Sequence, residues 1–599
     1  MIRHTAAATT AVTKAEQPSQ PAQVAKPSKP ATVKKPRRSW NHIISLIGLS
    51  IAQICQLGVL FLLILLSAAD TWVFVRQATA DEPATDIGRF HVIEALERHS
   101  HQLTPLFVLF LIMVLMFLVA VAHIADIRHP SHTVLAICVF ACSFFLAAGW
   151  VVARHMFAYS FPDTESLSQG AIDLITGHAN HFDAAWCEAH AHECTEMPPM
   201  YRYFVWYPYQ AGSLLWFVLI FKIFVTGNIF AIQFVNALLG AGVCVVLWKL
   251  GEALHLSDGG LTVLALLLIG CLPWEMHSMY AYTDIPGFFF ALLSLWITYK
   301  AVTAHRSWWA TLLLGIVSFA IAGLGLTFKS TFIILLLAQI AALIVVAFAT
   351  RRWWLAIFAP IIGYAANKIP DMAIRRVEHI TGQQFGKGLP KLDWIDIGLN
   401  DALAGPPGWW SRRALHREHV TRGDYDAHLR LVKRALNERI AFFKHNPDVC
   451  YRFFHDKISS EWADPTFESM YHSETGDSPI KDGISRAVLT GRLHTLIFTY
   501  EDVMQTFVYV LAAVGVICAL VAQFRRLHRD VQNKTLFVEC ALSAAFVGGF
   551  ICYVFWEAKS AYTLPFFVLL IPFAARGIQA THTGVSTLIA STKSALHRH

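Results

Sequence analysis

The chain has 599 residues, a mean hydropathy of +0.47, 55% hydrophobic residues and only 15% charged ones. That composition excludes a soluble globular protein, because apolar runs of the length a ~30 Å hydrocarbon core demands of a helix recur throughout. The formal net charge of +7 is concentrated in the N-terminal tail and between apolar runs, which reads as membrane topology and anionic-lipid contact, with no nucleic acid as partner.

Residues 1–42 are rich in Ala, Thr, Pro and Lys, with Lys34, Lys35, Arg37 and Arg38 just before the first apolar run. Such a segment cannot bury a core and is expected to be a disordered, basic cytoplasmic tail. It lacks the small-residue cleavage site of a removable signal peptide. Spans are expected over 43–67, 104–125, 133–153, 228–250, 260–277, 285–303, 308–328, 331–349, 353–368, 503–525, 535–556 and 560–576. A further apolar run, 207–225, starts with Trp206-Tyr207-Pro208-Tyr209 and carries Lys222, so it can lie in the interface plane instead of crossing.

Charge parity decides that point. With the basic tail inside, three spans place the 154–206 loop outside. If 207–225 also crossed, Lys300 and Arg306, Arg351 and Arg352, and Arg525, Arg526, Arg529 and Lys534 would all face outward. If it stays in the outer interface, all of them fall inside, as does a 577–599 tail with Lys593 and Arg598. The expectation is therefore about twelve spans, both termini cytoplasmic and one interfacial helix. The stretch 370–502 becomes a small, mostly helical extracytoplasmic domain. Within it Leu429, Val432, Leu436 and Ile440 show helical spacing, and Asn446-Pro447 reads as a capped helix start.

Among eleven cysteines only Cys187, Cys194 and Cys450 lie in polar segments. Cys187 and Cys194 bracket Glu188 to Glu193; outside the cell they read as a local disulfide. The alternative is a metal clip using His190, His192, His178 or His181.

Carboxylates at the mouth of a span are costly to hold and are functional candidates by default. Asp163 and Glu165 follow the 133–153 span directly. On the same expected face lie Tyr282-Thr283-Asp284, Phe328-Lys329-Ser330-Thr331 and Trp556-Glu557-Ala558-Lys559-Ser560. The layout resembles the GT-C superfamily of integral-membrane glycosyltransferases, including protein O-mannosyltransferases, and more closely a family 39-like branch of Gram-positive bacteria. The motifs that carry the resemblance are Tyr207-Pro208, Tyr282 to Asp284, Phe328 to Thr331, Asp393 to Asn400, Lys457 to Trp462 and Trp556-Glu557 to Tyr562. They extend over roughly residues 130–580. The resemblance implies a GT-C-like core over 126–369, preceded by two additional helices within 43–125 and completed by C-terminal spans within 503–576. It also implies an acidic residue in the first outer loop of the core, here Asp163, and a sugar donor carried on polyprenyl phosphate.

Transfer to a hydroxyl needs a base, for which Asp163 is the candidate, and a cation facing the leaving phosphate. Lys329 and Lys559 are the candidates for that cation, with Arg154 and Arg202 behind them. Lys559 stands near a position where the family often has arginine. Asp284 would bind a divalent ion (Mg2+ or Mn2+) or position Lys329, and Glu557 would pair with Lys559. Bland readings stand beside these roles. Asp163 can cap the Thr164–Ile175 segment, Glu165 can solvate the loop, the lysines can snorkel, and Trp409-Trp410 can be an interface belt instead of a sugar platform. The function expected is an inverting glycosyltransferase acting on a cell-envelope glycan, glycolipid or protein at the outer face of the plasma membrane. An O-antigen-type ligase or polymerase, a lipid-linked glycan flippase and a non-catalytic scaffold are the alternatives.

Overall fold

The computed structural model describes residues 40–77, 93–100, 105–154, 162–195, 198–304, 307–402, 405–474, 483–526 and 535–596. The basic tail up to residue 39 and Arg306, Arg529, Lys534 and Arg598 lie outside them. The chain opens with α1 (Trp40–Ala69), a hairpin of β1 (Asp70–Gln77) and β2 (Ile93–Ser100), then α2 (Pro105–Arg128) and α3 (His132–Arg154). Short helices follow: α4 (Pro162–Thr176), α5 (Ala184–Ala189), α6 (Met200–Trp206) and α7 (Ala211–Ile223). The central bundle comprises α8 (Ile229–Ala253), α9 (Asp258–Ile269), α10 (Leu272–Met276), α11 (Asp284–Thr303), α12 (Trp308–Phe328), α13 (Ile333–Thr350) and α14 (Trp354–Ala366). The polar domain holds α15 (Ile369–Thr381), α16 (Leu392–Gly398), α17 (Arg413–Thr421), α18 (Tyr425–His445), α19 (Pro447–Trp462), α20 (Ser469–Glu474) and α21 (Ile484–Leu489). Last come α22 (Arg492–Arg526), α23 (Leu536–Phe555), α24 (Ser560–Val568) and α25 (Ile571–Leu596).

Among the described residues nine helices are long and apolar enough to cross a membrane, and twelve if each bent pair is one span. The protein is an all-α polytopic membrane protein apart from its one hairpin. Large apolar side chains such as Phe61, Met116, Phe145, Leu313 and Ile357 stay exposed on the bundle's outer surface, as a lipid-facing surface requires. Inside, polar groups satisfy one another: Ser294, Thr298, Ser318 and Gln339 close a hydrogen-bonded ring between α11, α12 and α13.

Contacts at helix ends give the directions. His132, at the start of α3, pairs with Glu252 near the end of α8 at 3.0 Å and with Asp258 at the start of α9 at 2.9 Å. Farther along, Phe144 of α3 meets Phe234 of α8 edge-on. α3 and α8 are therefore antiparallel, and the chain between them leaves and re-enters the bundle at one end, here called the rim. Within that excursion α6 and α7 meet at 104°, broken at Tyr207-Pro208. α7 lies against the rim end of α12, where a Cβ on Gly212 would sit 2.0 Å from the Thr327 carbonyl. Only a residue without a side chain permits that approach.

Three details differ from the sequence expectation. The 353–368 span is a helix of 13 residues, about 20 Å long at 1.5 Å per residue and short of a hydrocarbon core. Gly315 and Gly323 of α12 face Phe358 and Ile369 in turn, so α14 runs parallel to α12 and the first turn of α15 completes its path to the rim. The helix expected to end near 576 continues to Leu596. Asn446 does not cap α19, because its amide donates back to the Phe442 carbonyl at 2.9 Å. Asp424 does cap α18, accepting from the amides of Asp426 and Ala427.

Candidate active site

At the rim, the connection before α11 is pinned from α8. Gln233 donates to the Met279 carbonyl at 3.0 Å, and Asn236 donates to the carbonyls of Tyr280 and Tyr282 at 3.0 and 3.2 Å. Thr283 in turn donates to the Phe328 carbonyl at 2.8 Å, which ties the start of α11 to the end of α12. The next residue on each side is charged. Lys329 reaches Asp284 at 2.7 Å, and its ammonium lies 4.9 Å from the Tyr282 ring centre and 4.6 Å from that of Tyr562. Two aromatic faces and one carboxylate hold this cation at the rim.

Asp163 sits in the first turn of α4, after Pro162, and so is not the cap of that helix. Thr164 fixes the helix start by donating to the Ala281 carbonyl at 3.1 Å. Tyr203 of α6 donates to Asp163 Oδ1 at 3.1 Å, leaving Oδ2 as the acceptor for another partner. Burial raises the Asp163 carboxyl above its ordinary value, although the Tyr203 hydrogen bond and the charges of Lys329 and Lys559 work against that rise.

The third contribution is the stretch between α23 and α24. Trp556 and Lys559 are extended, and Ala558 bridges in parallel to Trp409. Alternate residues of an extended strand face opposite ways. Ala558 is buried against Trp72, Trp409 and Ala463, which sends Glu557 and Lys559 together to the other face. Lys559 lies 3.8 Å from Glu468, whose Oε1 accepts from Ser560 and from the Ala561 amide, both at 3.3 Å. Burial pushes Glu557 up to about 7, with Lys559 and Lys329 opposing. His472 stacks on Tyr280 at 4.2 Å and is 3.9 Å from Glu468; burial, with His277 and Lys559 beside it, holds it well below its usual value.

Asp163, Asp284, Lys329, Glu557, Lys559 and Tyr562 thus gather at one rim, and Glu468, His472, His277 and Tyr203 join them without having been picked out from the sequence. Tyr203 carried no motif. Glu468 and Phe467 adopt left-handed φ values of 60° and 47°, a conformation with no signature in those residue types. Arg154 is turned to the carbonyls of Ser473 and Glu474, and Arg202 lies exposed 5.7 Å over the Trp206 ring. Glu165 lies half-buried on the first turn of α4. Trp409 is buried with its indole donating to Ser460 at 3.2 Å, so it belongs to the packing, whereas Trp410 stays exposed.

Cys187 and Cys194 are disulfide-bonded. His190 stacks on Trp186 and His181 pairs with Asp173. Among the described residues no three His, Cys, Asp or Glu side chains are grouped to hold a metal ion. Asp284 lies 4.0 Å from His277 and faces the Lys329 ammonium at 2.7 Å.

Residues 212–366 match the family model of dolichyl-phosphate-mannose-protein mannosyltransferases, a GT-C superfamily domain. The match runs from α7 through α14 and includes Asp284 and Lys329; Asp163, Glu557 and Lys559 lie outside it. No curated protein and no solved structure matches the chain.

Proposed function

We propose that this GT-C-type membrane glycosyltransferase takes its sugar from a polyprenyl-phosphate carrier and passes it, with inversion, to a hydroxyl of a cell-envelope glycan, glycolipid or protein. The observation that carries the reading is the placing of one half-buried carboxylate, Asp163, within the fields of two ammonium groups, Lys329 and Lys559, at one rim of the bundle.

The acceptor oxygen attacks C1 as its proton passes to Asp163 Oδ2, while the bond from C1 to the phosphate oxygen breaks with its electron pair on the phosphate. A carboxylate whose affinity for protons has been raised by burial is a better base than an exposed one, and such a group typically contributes about 10²–10⁴-fold. Charge growing on the phosphate is met by Lys329 and Lys559, which Tyr282, Tyr562 and Glu468 hold in place before the reaction. Attack from the side opposite the phosphate inverts C1. The carrier's lipid tail stays in the bilayer, and the rim faces the outside of the plasma membrane, because the basic helix ends lie at the opposite, cytoplasmic end.

Asp163→Asn tests the assignment. Transfer from undecaprenyl-phosphate sugars in membranes containing equal amounts of protein is expected to fall by about 10²-fold or more. Transfer at the wild-type rate would remove Asp163 from the mechanism.

A further inference from the structure

Two motifs found in the sequence, Asp393 to Asn400 and Lys457 to Trp462, take no part in the chemistry above, and neither does Trp556 at the head of a third. They converge on one buried side chain. Lys457 of α19 is fully buried, and its ammonium donates to the carbonyl of Gly398, at the end of α16, and to that of Trp556, each at 2.6 Å.

The backbones are drawn together around it. A Cβ on Gly398 would lie 2.3 Å from the Trp556 carbonyl oxygen, and one on Gly408 would lie 2.9 Å from Lys457 Cδ and Cε. Gly408, at φ +81°, accepts from the Ala558 amide at 2.8 Å. Two glycines therefore leave the space that the lysine stem and the 556–560 backbone share. The far end of that backbone is fixed separately, Ser560 donating to Asp464 at 2.6 Å.

We propose that Lys457 is a positioning residue: by gripping the Trp556 carbonyl it sets the phase of the extended stretch and so aims Glu557 and Lys559 into the site. The proposal rests on the reading of Lys559 as a phosphate contact. A buried ammonium is costly, and a packing role could be filled by an apolar side chain of the same length. What an apolar side chain cannot do is join two carbonyls from separate segments. Glu461 on the same helix and Glu557 and Cys552 beside it are the titratable groups acting on Lys457. α16 offers only backbone there, its Asp393 and Asp396 being engaged by Arg413, Arg417 and His428.

The test uses the full-length protein in lipid nanodiscs, with undecaprenyl monophosphate as the probe. In Lys457→Met, hydrogen exchange over residues 555–562 is expected to quicken and the probe's Kd to rise about tenfold, whereas Lys457→Arg, which retains a charged donor, stays near wild type in both. Where Lys457→Met does not fold, Lys457→Leu is read in the same way. Exchange and affinity unchanged in the apolar variant would overturn the proposal. Exchange that quickens in a protein that never binds the probe would leave the positioning intact and refute the phosphate reading instead.

Discussion

The Asp163 and Glu557 carboxyls owe their character to burial more than to any one neighbour. Glu557 has an ordinary value of 4.5 and is pushed up to about 7 in the folded protein. Between those values the folded state holds a proton that the unfolded state has released, so stability falls as pH rises through that window. Glu557→Gln removes the titration. Wild-type protein in detergent is expected to lose melting temperature from about pH 5 to about pH 8 relative to this variant, and parallel melting curves would contradict the assignment. At this scale the sequence singled out charges at the ends of apolar runs, and Asp163, Asp284, Lys329 and Lys559 do come near one another at one rim. It was uninformative for Glu468 and His472. Their position depends on a turn closed by Asp464, which accepts from the Thr466 and Glu468 amides, and on left-handed backbone at Phe467 and Glu468.

Helices were legible as far as their own composition determined them. α8, α11, α12 and α23 begin and end within a few residues of the apolar runs that announced them. The hairpin was not legible: Asp70 to Gln77 continues the apolar run of α1, and Ile93 to Ser100 has no alternation. Its order comes from pairing across the hairpin and from distant contacts, Trp72 with Ser459 and Ala463, and Arg98 with Asp70 and Asp456. The seat of α7 on α12 also depends on a single atom's absence. Gly212→Leu would drive a side chain into Thr327, an overpacking that costs about 1–3 kcal/mol and displaces Ser213 from its contacts with Thr283 and Phe328. Melting temperature and transfer are expected to fall together; a variant with both unchanged would show that α7 does not need this close approach.

For the molecule as a whole, helix directions follow from paired ends, and the positive-inside rule supplies the orientation on which the proposed function rests. Lys433 of α18 is exposed on the rim domain, and Arg525 is exposed at the other end of α22. In intact cells an impermeant maleimide is expected to label Lys433→Cys and to reach Arg525→Cys only after permeabilisation; the reverse pattern would invert the protein and end the outer-face reading. The antiparallel run of α3 and α8 has one more consequence. Because α3 ends and α8 begins at the same side, whatever lies between them does not alter the direction of any later helix. The helices α4 to α7, Asp163 with them, could therefore vary without turning the rest of the molecule over, and the scaffold that threads the bilayer would keep its course.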